Sequence, residues 1–297
     1  MPDRIAAEGR VVETAPAKLN LDLLIAGRRP DGYHELDSVV VFGLVGDRLE
    51  LEAAEDFSLT VRGRFAAEVP RGEANLVLRA ARLLADWLGG GLGARILLEK
   101  NIPVGAGLGG GSSDAAATLR GLLRLWKLRL QMTELLDLAL ELGADVPVCL
   151  YGRTARVRGI GERIDPIRGL PDLPLLLVQP GCRLETGQVF RRLRADAVAG
   201  VDRTPLPAGP SLPIFAAWLA QSRNDLEAPA RELAPAIGEL LALLEGLPGC
   251  QLARLTGSGS VCFGLFDRPT AAEAARATVV STRPDWWATA GVIEGCR

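Results

Sequence analysis

Several residue types are scarce in this sequence. Lysine occurs only at Lys18, Lys100 and Lys127, so arginine supplies almost all of the 34 basic side chains. The two cations differ chemically, because a compact ammonium sits on one phosphate or alters the pKa of a neighbour, whereas a guanidinium bridges two oxygens. Lys18 and Lys100 are therefore candidate functional residues.

Cysteine is present without a pattern. The five cysteines are odd in number, widely spaced and free of any Cys-x-x-Cys pair, at Cys149, Cys182, Cys250, Cys262 and Cys296. Neither a disulfide framework nor a zinc site is expected from them. The N-terminus has no basic stretch followed by an apolar core, and no apolar run approaches the roughly 18 residues of a membrane span. These absences predict a reduced, cytoplasmic protein without a membrane segment.

An excess of positive charge is also missing. The sequence balances 34 basic against 36 acidic residues, for a formal net charge of -2. A nucleic-acid partner is therefore not expected. The apolar share of 48% and the charged share of 24% are typical of a chain that folds in water, and 297 residues accommodate two domains.

The N-terminal part has the pattern of a sheet. Residues 18–26 alternate polar and apolar side chains, which predicts a half-buried strand with Lys18, Asn20 and Asp22 on one face. Residues 28–32 form a predicted turn, and residues 35–44 a second strand.

Helices and strands follow with clear boundaries. The spacing predicts a helix over 75–88 that the glycines at 89–91 end, then a strand over 95–99. A glycine loop leads into a helix with apolar positions at Ala116, Leu119, Leu123 and Trp126. Another helix over 133–142 ends at Gly143.

The C-terminal part predicts a second layered unit. Strands over 174–179, 251–255, 261–266 and 287–293, with helices over 236–245 and 270–280, resemble a ferredoxin-like β-α-β-β-α-β layout with extra helices inserted. The stretch over 196–213 is rich in Pro, Gly and Asp and is predicted to be a loop.

The glycine loop is the densest chemical signal. Five glycines lie within the seven residues from Gly105 to Gly111, so backbone N–H groups can approach an anion closely, and phosphate is the natural ligand. The spacing also matches the dinucleotide fingerprint, but a second helix replaces the expected return strand, and no Walker A ending is present. A flexible linker is the structural alternative. Ser112 or Ser113 is a candidate helix cap that is also well placed to reach a magnesium ion.

Other candidate residues have ordinary structural interpretations beside the functional ones. His34, the only histidine, also fits a hydrogen-bonded loop residue. Asp145 precedes Val-Pro and fits a helix cap. Lys18 fits a solvated strand end, and Thr256 to Ser260 fit a plain hairpin loop.

Taken together, the motifs resemble those of the GHMP family of small-molecule kinases in order and spacing. They are Pro16-Ala-Lys-Leu-Asn20 with Asp31-Gly-Tyr-His34, Pro103 to Ser113, Gly143-Ala-Asp-Val-Pro147 and Leu255-Thr-Gly-Ser-Gly259. The resemblance spans about residues 11–266. It implies an α+β, two-domain GHMP-kinase-like fold. Residues 1–157 would form an N-terminal ribosomal-protein-S5-like ATP-binding and catalytic domain, and residues 158–297 a C-terminal ferredoxin-like substrate domain.

The resemblance also implies an ATP-dependent phosphorylation of a small molecule, methylerythritol linked to cytidine diphosphate. ATP would be held by Pro103, Val104, Gly105, Ala106, Gly107, Leu108, Gly109, Gly110, Gly111, Ser112 and Ser113, with Asn75 and Lys100 near the nucleotide. The acceptor substrate would be held at its cytidine end by Asn20, Tyr33, His34 and Phe190, while Thr256, Gly257, Ser258 and Gly259 would close the site. Ser113 is the candidate ligand of Mg²⁺.

The catalytic pair implied by the resemblance is Lys18 and Asp145. Asp145 would accept or orient the hydroxyl proton, while Lys18 would keep Asp145 ionised and stabilise the developing negative charge. The chain departs from the family pattern at Ser260, where alanine is frequent, and at Gly187, where proline is common.

Three other functions remain open at this point. The chain could be a GHMP kinase with a different acceptor, an oxidoreductase that binds a dinucleotide, or a nucleotide-binding module without turnover.

Overall fold

A computed structural model describes residues 9–30, 32–193, 201 and 203–295. Its strands are β1 (Arg10–Asn20), β2 (Leu24–Arg28), β3 (His34–Ala54), β4 (Ser58–Arg62), β5 (Gly93–Glu99), β6 (Ala155–Gly159), β7 (Arg163–Pro166), β8 (Leu173–Gln179), β9 (Cys250–Leu255), β10 (Cys262–Phe266) and β11 (Trp287–Ile293). Its helices are α1 (Leu76–Trp87), α2 (Gly110–Leu125), α3 (Met132–Leu142), α4 (Val146–Tyr151), α5 (Thr186–Arg192), α6 (Leu212–Ala220), α7 (Glu227–Leu233), α8 (Ala236–Glu245) and α9 (Pro269–Thr282).

The chain divides into two compact units. Of the described residues, the first contains those within 9–17, 45–104 and 109–152, and the second those within 18–44, 105–108 and 153–295. Both units are discontinuous, whereas the sequence predicts continuous domains at 1–157 and 158–297. That boundary stays a prediction.

The first unit packs helices on strands. The C-terminal half of β3 pairs antiparallel with β5, which pairs parallel with β4. The predicted helix over 75–88 is confirmed as α1, and Gly89, Gly90 and Gly91 end it in the left-handed region. The predicted helix over 133–142 is confirmed as α3. A capping box formed by Gln131 and Glu134 stabilises its start.

Helix α2 begins inside the glycine run. Its N-cap is Gly109, with φ of 61° and no side-chain cap. The interpretation of Ser112 or Ser113 as the cap is therefore wrong, because both lie inside the helix. Ser113 instead donates its hydroxyl to Pro16 O at 2.8 Å.

The predicted single strand over 18–26 is wrong. Strand β1 ends at Asn20, and β2 begins only at Leu24. A distant segment takes over the hydrogen bonds of the interruption, because Leu23 N donates to Arg223 O and Asp225 accepts from Ile25 N. Asp22 lies in this gap and is fully buried rather than half-exposed. The second predicted strand is present and longer than expected, as β3.

The second unit confirms the ferredoxin-like prediction. Its four-stranded sheet has the order β11-β8-β10-β9, with β8 antiparallel to both neighbours. Helices α8 and α9 cover it, and Leu240, Leu244 and Phe266 are among the side chains buried in its core. The N-terminal half of β3 pairs with β2 and β6 in this same unit.

The predicted loop over 196–213 is two residues too long at its end, since α6 begins at Leu212. Residues 196–200 and 202 of that loop, Asp31 of the predicted turn and Cys296 lie outside the described residues. The four cysteines within the described ranges are free thiols. Among the helices described, none is long and apolar enough to cross a bilayer.

Candidate functional site

In the glycine loop, buried apolar residues alternate with more accessible glycines. Pro103, Ala106 and Leu108 are buried, whereas Gly105 and Gly111 are exposed. Gly105 and Gly109 adopt left-handed conformations with φ of 66° and 61°, which side chains other than glycine rarely tolerate. The apolar side chains hold the loop in place and leave the glycine backbone accessible.

Residues 105–108 lie between the end of β1 and the β9–β10 hairpin. Lys18 N donates to Leu108 O at 2.9 Å, and Val261 N donates to Ala106 O at 3.1 Å. A Cβ at Gly107 would lie only 2.6 Å from Thr256 O, so no side chain fits there. The loop conformation therefore depends on glycine at 107.

The start of α2 carries backbone donors that suit an anion. The first N–H groups of a helix have no partner within it, and Gly109 has no side chain to supply one. These donors, together with the open backbone at Gly111, fit the oxygens of a polyphosphate.

Lys100 does not extend into solvent. Its ammonium donates to Asp47 Oδ2 and Asp114 Oδ2 at 2.5 Å each, and all three side chains are buried. We call these three residues the Lys100 cluster. Burial, with the nearby Asp47 carboxylate, raises the pKa of Asp114 to about 8, although Lys100 opposes the shift. A direct nucleotide contact by Lys100 stays a prediction.

Asn75 caps α1. Its Oδ1 accepts from Val77 N at 2.8 Å, and its Nδ2 donates to Pro70 O at 2.9 Å. Both ends of the buried amide are therefore engaged within the fold. A nucleotide contact through Asn75 stays a prediction.

Asp145 occupies the N-cap position of α4, but its side chain makes no capping hydrogen bond. The interpretation of this residue as only a helix cap is therefore wrong. The carboxylate is half-buried, and Pro147 supports the helix start in place of a cap. The catalytic role of Asp145 stays a prediction.

Asn20 is held with one defined orientation of its amide. The Ser38 hydroxyl donates its proton to Asp22 O at 2.5 Å. Its oxygen can therefore only accept a hydrogen bond from Asn20, and Asn20 Nδ2 is the donor at 2.7 Å. The Asn20 backbone N–H donates to Thr256 Oγ1 at 2.8 Å. Asn20 Oδ1 is thereby left as a buried acceptor without a partner.

His34 and Phe190 form an aromatic pair. Their ring centroids lie 5.1 Å apart at an angle of 31°. Burial, and then the charge of Arg28, lowers the pKa of His34, which keeps the imidazole neutral near pH 7. Tyr33, next to His34, is 57% exposed and presents its ring to solvent.

The hairpin from Thr256 to Gly259 is fixed mainly by side chains. Ser258 Oγ lies 2.9 Å from Thr186 Oγ1, and Ser260 donates to Cys182 O. Asn224 donates to both Leu255 O and Gly257 O at 2.8 Å. These hydrogen bonds hold the hairpin beside residues 105–108, and Thr256 Oγ1 accepts from Asn20 N.

Family models match both parts of the chain. The model described as GHMP kinases N terminal domain matches residues 75–153, and that described as GHMP kinases C terminal matches residues 210–283. A 4-diphosphocytidyl-2-C-methyl-D-erythritol kinase from Parvibaculum lavamentivorans is 48% identical over 94% of this chain and 97% of its own. The enzyme of that name from Rhodospirillum rubrum is 47% identical, over 97% and 94%. The chain belongs to this family of GHMP kinases.

Solved structures agree with the assignment, so the predicted GHMP resemblance is confirmed. A crystal structure of 4-(cytidine 5'-diphospho)-2C-methyl-D-erythritol kinase aligns with a TM-score of 0.74 at 38% identity, over 96% of this chain and all of the other. A homoserine kinase from Cytophaga hutchinsonii aligns with a TM-score of 0.71 at 18% identity, over 97% and 95%. The second likeness shows the shared fold alone.

A magnesium site in this GHMP kinase has little support from acidic side chains. Within the described ranges, no group of three or more His, Cys, Asp or Glu side chains is arranged to hold a metal. Ser113 is 1% exposed and donates to Pro16 O, whereas the neighbouring Ser112 is half-buried. The predicted role of Ser113 as a Mg²⁺ ligand stays a prediction.

Four residues of this GHMP kinase were missed by the sequence reasoning: Asp47, Asp114, Ser38 and Asn224. Each forms a hydrogen bond or ion pair with a residue distant in sequence, so the local spacing of residues does not indicate its role. Only Asp114 carried a hint, because it directly follows the glycine motif.

Proposed function

We propose that this protein transfers the γ-phosphoryl group of ATP to the 2-hydroxyl of 4-diphosphocytidyl-2-C-methyl-D-erythritol, in the non-mevalonate route to isoprenoid precursors. Relatives at about 48% identity over nearly the whole chain carry the name of this kinase. ATP and Mg²⁺ are the proposed cofactors, and a small cytidine-bearing alcohol is the proposed partner. A cytoplasmic location stays a prediction.

The observation that carries this proposal is the position of residues 105–108. They are hydrogen-bonded to Lys18 on one side and to Val261 on the other. A loop suited to phosphate therefore lies directly beside the strand that bears Lys18 and Asn20. Phosphoryl transfer depends chiefly on such positioning of the donor, the acceptor and positive charge.

Each residue has a distinct proposed role. The loop and the start of α2 hold the polyphosphate, whose charge bound Mg²⁺ would partly neutralise. Asp145 accepts or orients the proton of the acceptor hydroxyl, and Lys18 stabilises the negative charge on the transferred group.

The acceptor region has two recognition points along β3. His34 and Phe190 offer an aromatic pair with a neutral imidazole, which suits stacking and hydrogen bonding of a cytosine. Ser38 lies four residues further along the strand, about 13 Å away. Because Asn20 is held at Ser38, we propose that it accepts from the alcohol end of the substrate rather than from the base.

The test is a coupled assay of ADP release with Mg-ATP and a panel of alcohols. We expect 4-diphosphocytidyl-2-C-methyl-D-erythritol to have a much higher kcat/KM than homoserine or mevalonate. Preference for another alcohol would make the chain a GHMP kinase of different specificity. Binding of Mg-ATP without turnover of any alcohol would support a non-catalytic module.

An oxidoreductase has no structural support, since the chain runs from α2 into α3 and not into the return strand of a dinucleotide-binding unit. A fluorescence titration with NADH checks this directly, and we expect no saturable binding.

A further inference from the structure

Two acidic residues are buried next to the hydrogen bonds that orient Asn20. The Ser38 hydroxyl donates to Asp22 O at 2.5 Å and accepts from Asn20 Nδ2 at 2.7 Å, and we call these two hydrogen bonds the Ser38 bridge. Asp22, after β1, is fully buried, and Asp37, which precedes Ser38 on β3, is 4% exposed. Neither carboxylate has a role in the proposed phosphoryl transfer. Buried carboxylates need partners, and the partners of these two lie beside the bridge.

The guanidinium of Arg203 contacts both acidic residues. Its Nη2 donates to Asp22 Oδ1 at 3.0 Å and to Asp37 O at 3.3 Å. Its Nη1 lies 2.8 Å from Asp22 Oδ2, and its Nε lies 3.2 Å from Asp37 Oδ1. A guanidinium presents its N–H groups in a fixed planar fork, whereas an ammonium is a single point of charge. Arg203 therefore fixes the separation between the end of β1 and the part of β3 that bears Ser38.

The four charges at this place balance. Arg156, on the neighbouring strand β6, donates from Nε to both carboxylate oxygens of Asp37, at 2.8 and 3.1 Å. Two guanidinium groups thus face two carboxylates, which is the condition for burying them at acceptable cost. Arg156 neutralises Asp37, whereas Arg203 connects Asp37 to Asp22. The connection between the two ends of the Ser38 bridge is therefore the particular contribution of Arg203.

Helix α6 holds Arg203 in this position. The guanidinium lies over the ring of Trp218, 5.7 Å from its centroid. The indole Nε1 of Trp218 donates to Thr204 O at 2.9 Å, so the backbone next to Arg203 is fixed as well. The side chain of Arg203 is only 7% exposed. Its conformation is thus set by the surrounding side chains before any substrate binds.

We propose that Arg203 is a positioning residue for the acceptor substrate: by joining Asp22 to Asp37 it maintains the Ser38 bridge, and the bridge presents Asn20 Oδ1 to the alcohol end of the substrate. Asn20 Oδ1 is buried without a partner in the protein, so a hydroxyl donor on the substrate would satisfy it. An amide that is free to rotate presents Nδ2 in the same place for part of the time and binds the hydroxyl proton less well. This inference rests on the proposed function only in that Asn20 contacts the acceptor.

The first test uses Arg203→Lys, which keeps the positive charge, so neither carboxylate loses its counterion, but cannot span both acids. Arg276→Lys, the same change at an exposed arginine that pairs with Glu273 on α9, is the matched control. KM is measured for the acceptor and for ATP in both variants. We expect Arg203→Lys to raise KM for the acceptor about fivefold and to leave KM for ATP unchanged. The control should match the wild type for both substrates.

The double variant Arg203→Lys with Ser38→Ala distinguishes positioning from a general structural role. If Arg203 acts through the Ser38 bridge, its loss adds nothing once the bridge is absent, and the double variant should equal Ser38→Ala alone. Independent effects would instead multiply to about 25-fold. That product, equal rises in both KM values, or an unchanged KM for the acceptor in Arg203→Lys would each overturn the proposal.

A second measurement needs no substrate. Two-dimensional ¹H–¹⁵N NMR of the unliganded protein observes the side-chain amide of Asn20, whose signals are assigned by their loss in Asn20→Asp. We expect these signals to coincide in the wild type and Arg276→Lys, and to shift in Arg203→Lys as they do in Ser38→Ala. Unshifted Asn20 signals in Arg203→Lys would overturn the proposal, whichever alcohol the enzyme phosphorylates. If the signals shift as expected while the wild type prefers another alcohol, the proposed substrate is wrong and the role of Arg203 is supported.

Discussion

The glycine loop, proposed to bind the nucleotide, and the region proposed to bind the acceptor are held in place by different kinds of interaction. In the loop, backbone geometry decides the position, through the left-handed glycines and two hydrogen bonds to Ala106 O and Leu108 O. In the acceptor region, side chains from distant segments decide it, as Ser38 fixes the amide of Asn20 and Asn224 fixes the hairpin. The loop is therefore sensitive to added atoms, and the acceptor region to lost ones.

The acceptor region also contains buried charge that stabilises it only as a set. Asp22 accepts from Val39 N and Ser222 Oγ at 2.8 and 2.7 Å, and it forms an ion pair with Arg203 at 2.8 Å. Breaking one member of such a set leaves another charge unpaired in the interior. The comparison thus predicts opposite responses of the two regions to the same kind of substitution.

The largest effect is expected at Asp145. Its proposed role depends neither on the backbone geometry of the loop nor on the side-chain contacts of the acceptor region. Because its side chain does not cap α4, Asp145→Asn should change the free energy of unfolding by only a few tenths of a kcal/mol. An amide cannot accept a proton, so kcat should fall by about 10² to 10⁴, with nearly unchanged ATP affinity. Steady-state kinetics and thermal unfolding measure both quantities.

Lys18→Met provides the partner measurement. It should cause a similar loss of kcat, and the double variant should be little worse than either single variant, because residues that act as a unit are not additive. A fully active Asp145→Asn enzyme would leave positioning by the glycine loop as the only catalytic device.

Valine substitutions at two glycines of the loop should have different effects, one on ATP binding and the other on stability. At Gly111 a Cβ meets only Leu76 Cδ1 at 3.4 Å, so Gly111→Val should fold and yet raise KM for ATP about 100-fold by obstructing the N–H groups. Gly107→Val should instead destabilise the protein by more than about 2 kcal/mol, since its Cβ would collide with Thr256 O. Gly246→Val, at an open position after α8, is the control. Unchanged ATP binding by a folded Gly111→Val variant would remove the start of α2 from the site.

Substitutions that remove side-chain atoms from the acceptor region should instead weaken binding of the acceptor substrate. If His34 reads the cytosine through one or two hydrogen bonds, His34→Ala should cost about 1 to 3 kcal/mol, or roughly 5- to 150-fold in acceptor affinity. The KM for ATP should change little. Equal shifts for both substrates would mean that His34 has only a structural role.

Ser38→Ala should have a smaller effect of the same kind. The variant frees the Asn20 amide to rotate, so KM for the acceptor should rise about fivefold while KM for ATP is unchanged. Ser38→Thr retains the hydroxyl and should restore the wild-type value. Failure of threonine to restore it would show that volume, and not the hydroxyl, matters at this position.

A separate effect, on stability rather than on activity, depends on pH. Since the pKa of Asp114 is raised to about 8 in the folded protein from its usual value near 4, the native state binds the extra proton, and stability falls as pH rises between these values. Asp114→Asn removes this penalty, so its gain in Tm over the wild type should grow from about pH 4 to pH 8 and then level off. Thermal unfolding over this range measures the gap, and a gap independent of pH would contradict the account.

The contrast between the two regions also explains what the sequence could predict. Glycines at 105, 107 and 109 are required by local backbone geometry, so the loop and the helix after it were predictable from spacing. The ferredoxin-like unit was predictable too, because apolar periodicity marks its strands and helices. These features depend on neighbours in sequence.

The rest depends on contacts between distant segments. The strand predicted over 18–26 is interrupted because residues 223–225 take its hydrogen bonds, which no local pattern reveals. Lys100 was predicted to lie near the nucleotide, but its buried partner Asp47 comes from β3. Spacing alone therefore located the candidate side chains without identifying the groups they contact.

The most direct test of the central claim is ³¹P NMR of the product formed from Mg-ATP and 4-diphosphocytidyl-2-C-methyl-D-erythritol. The account predicts one new phosphomonoester signal on the 2-hydroxyl of the methylerythritol, with one ADP formed for each product. ADP formation without a phosphorylated alcohol, or a phosphate on any other hydroxyl, would contradict it.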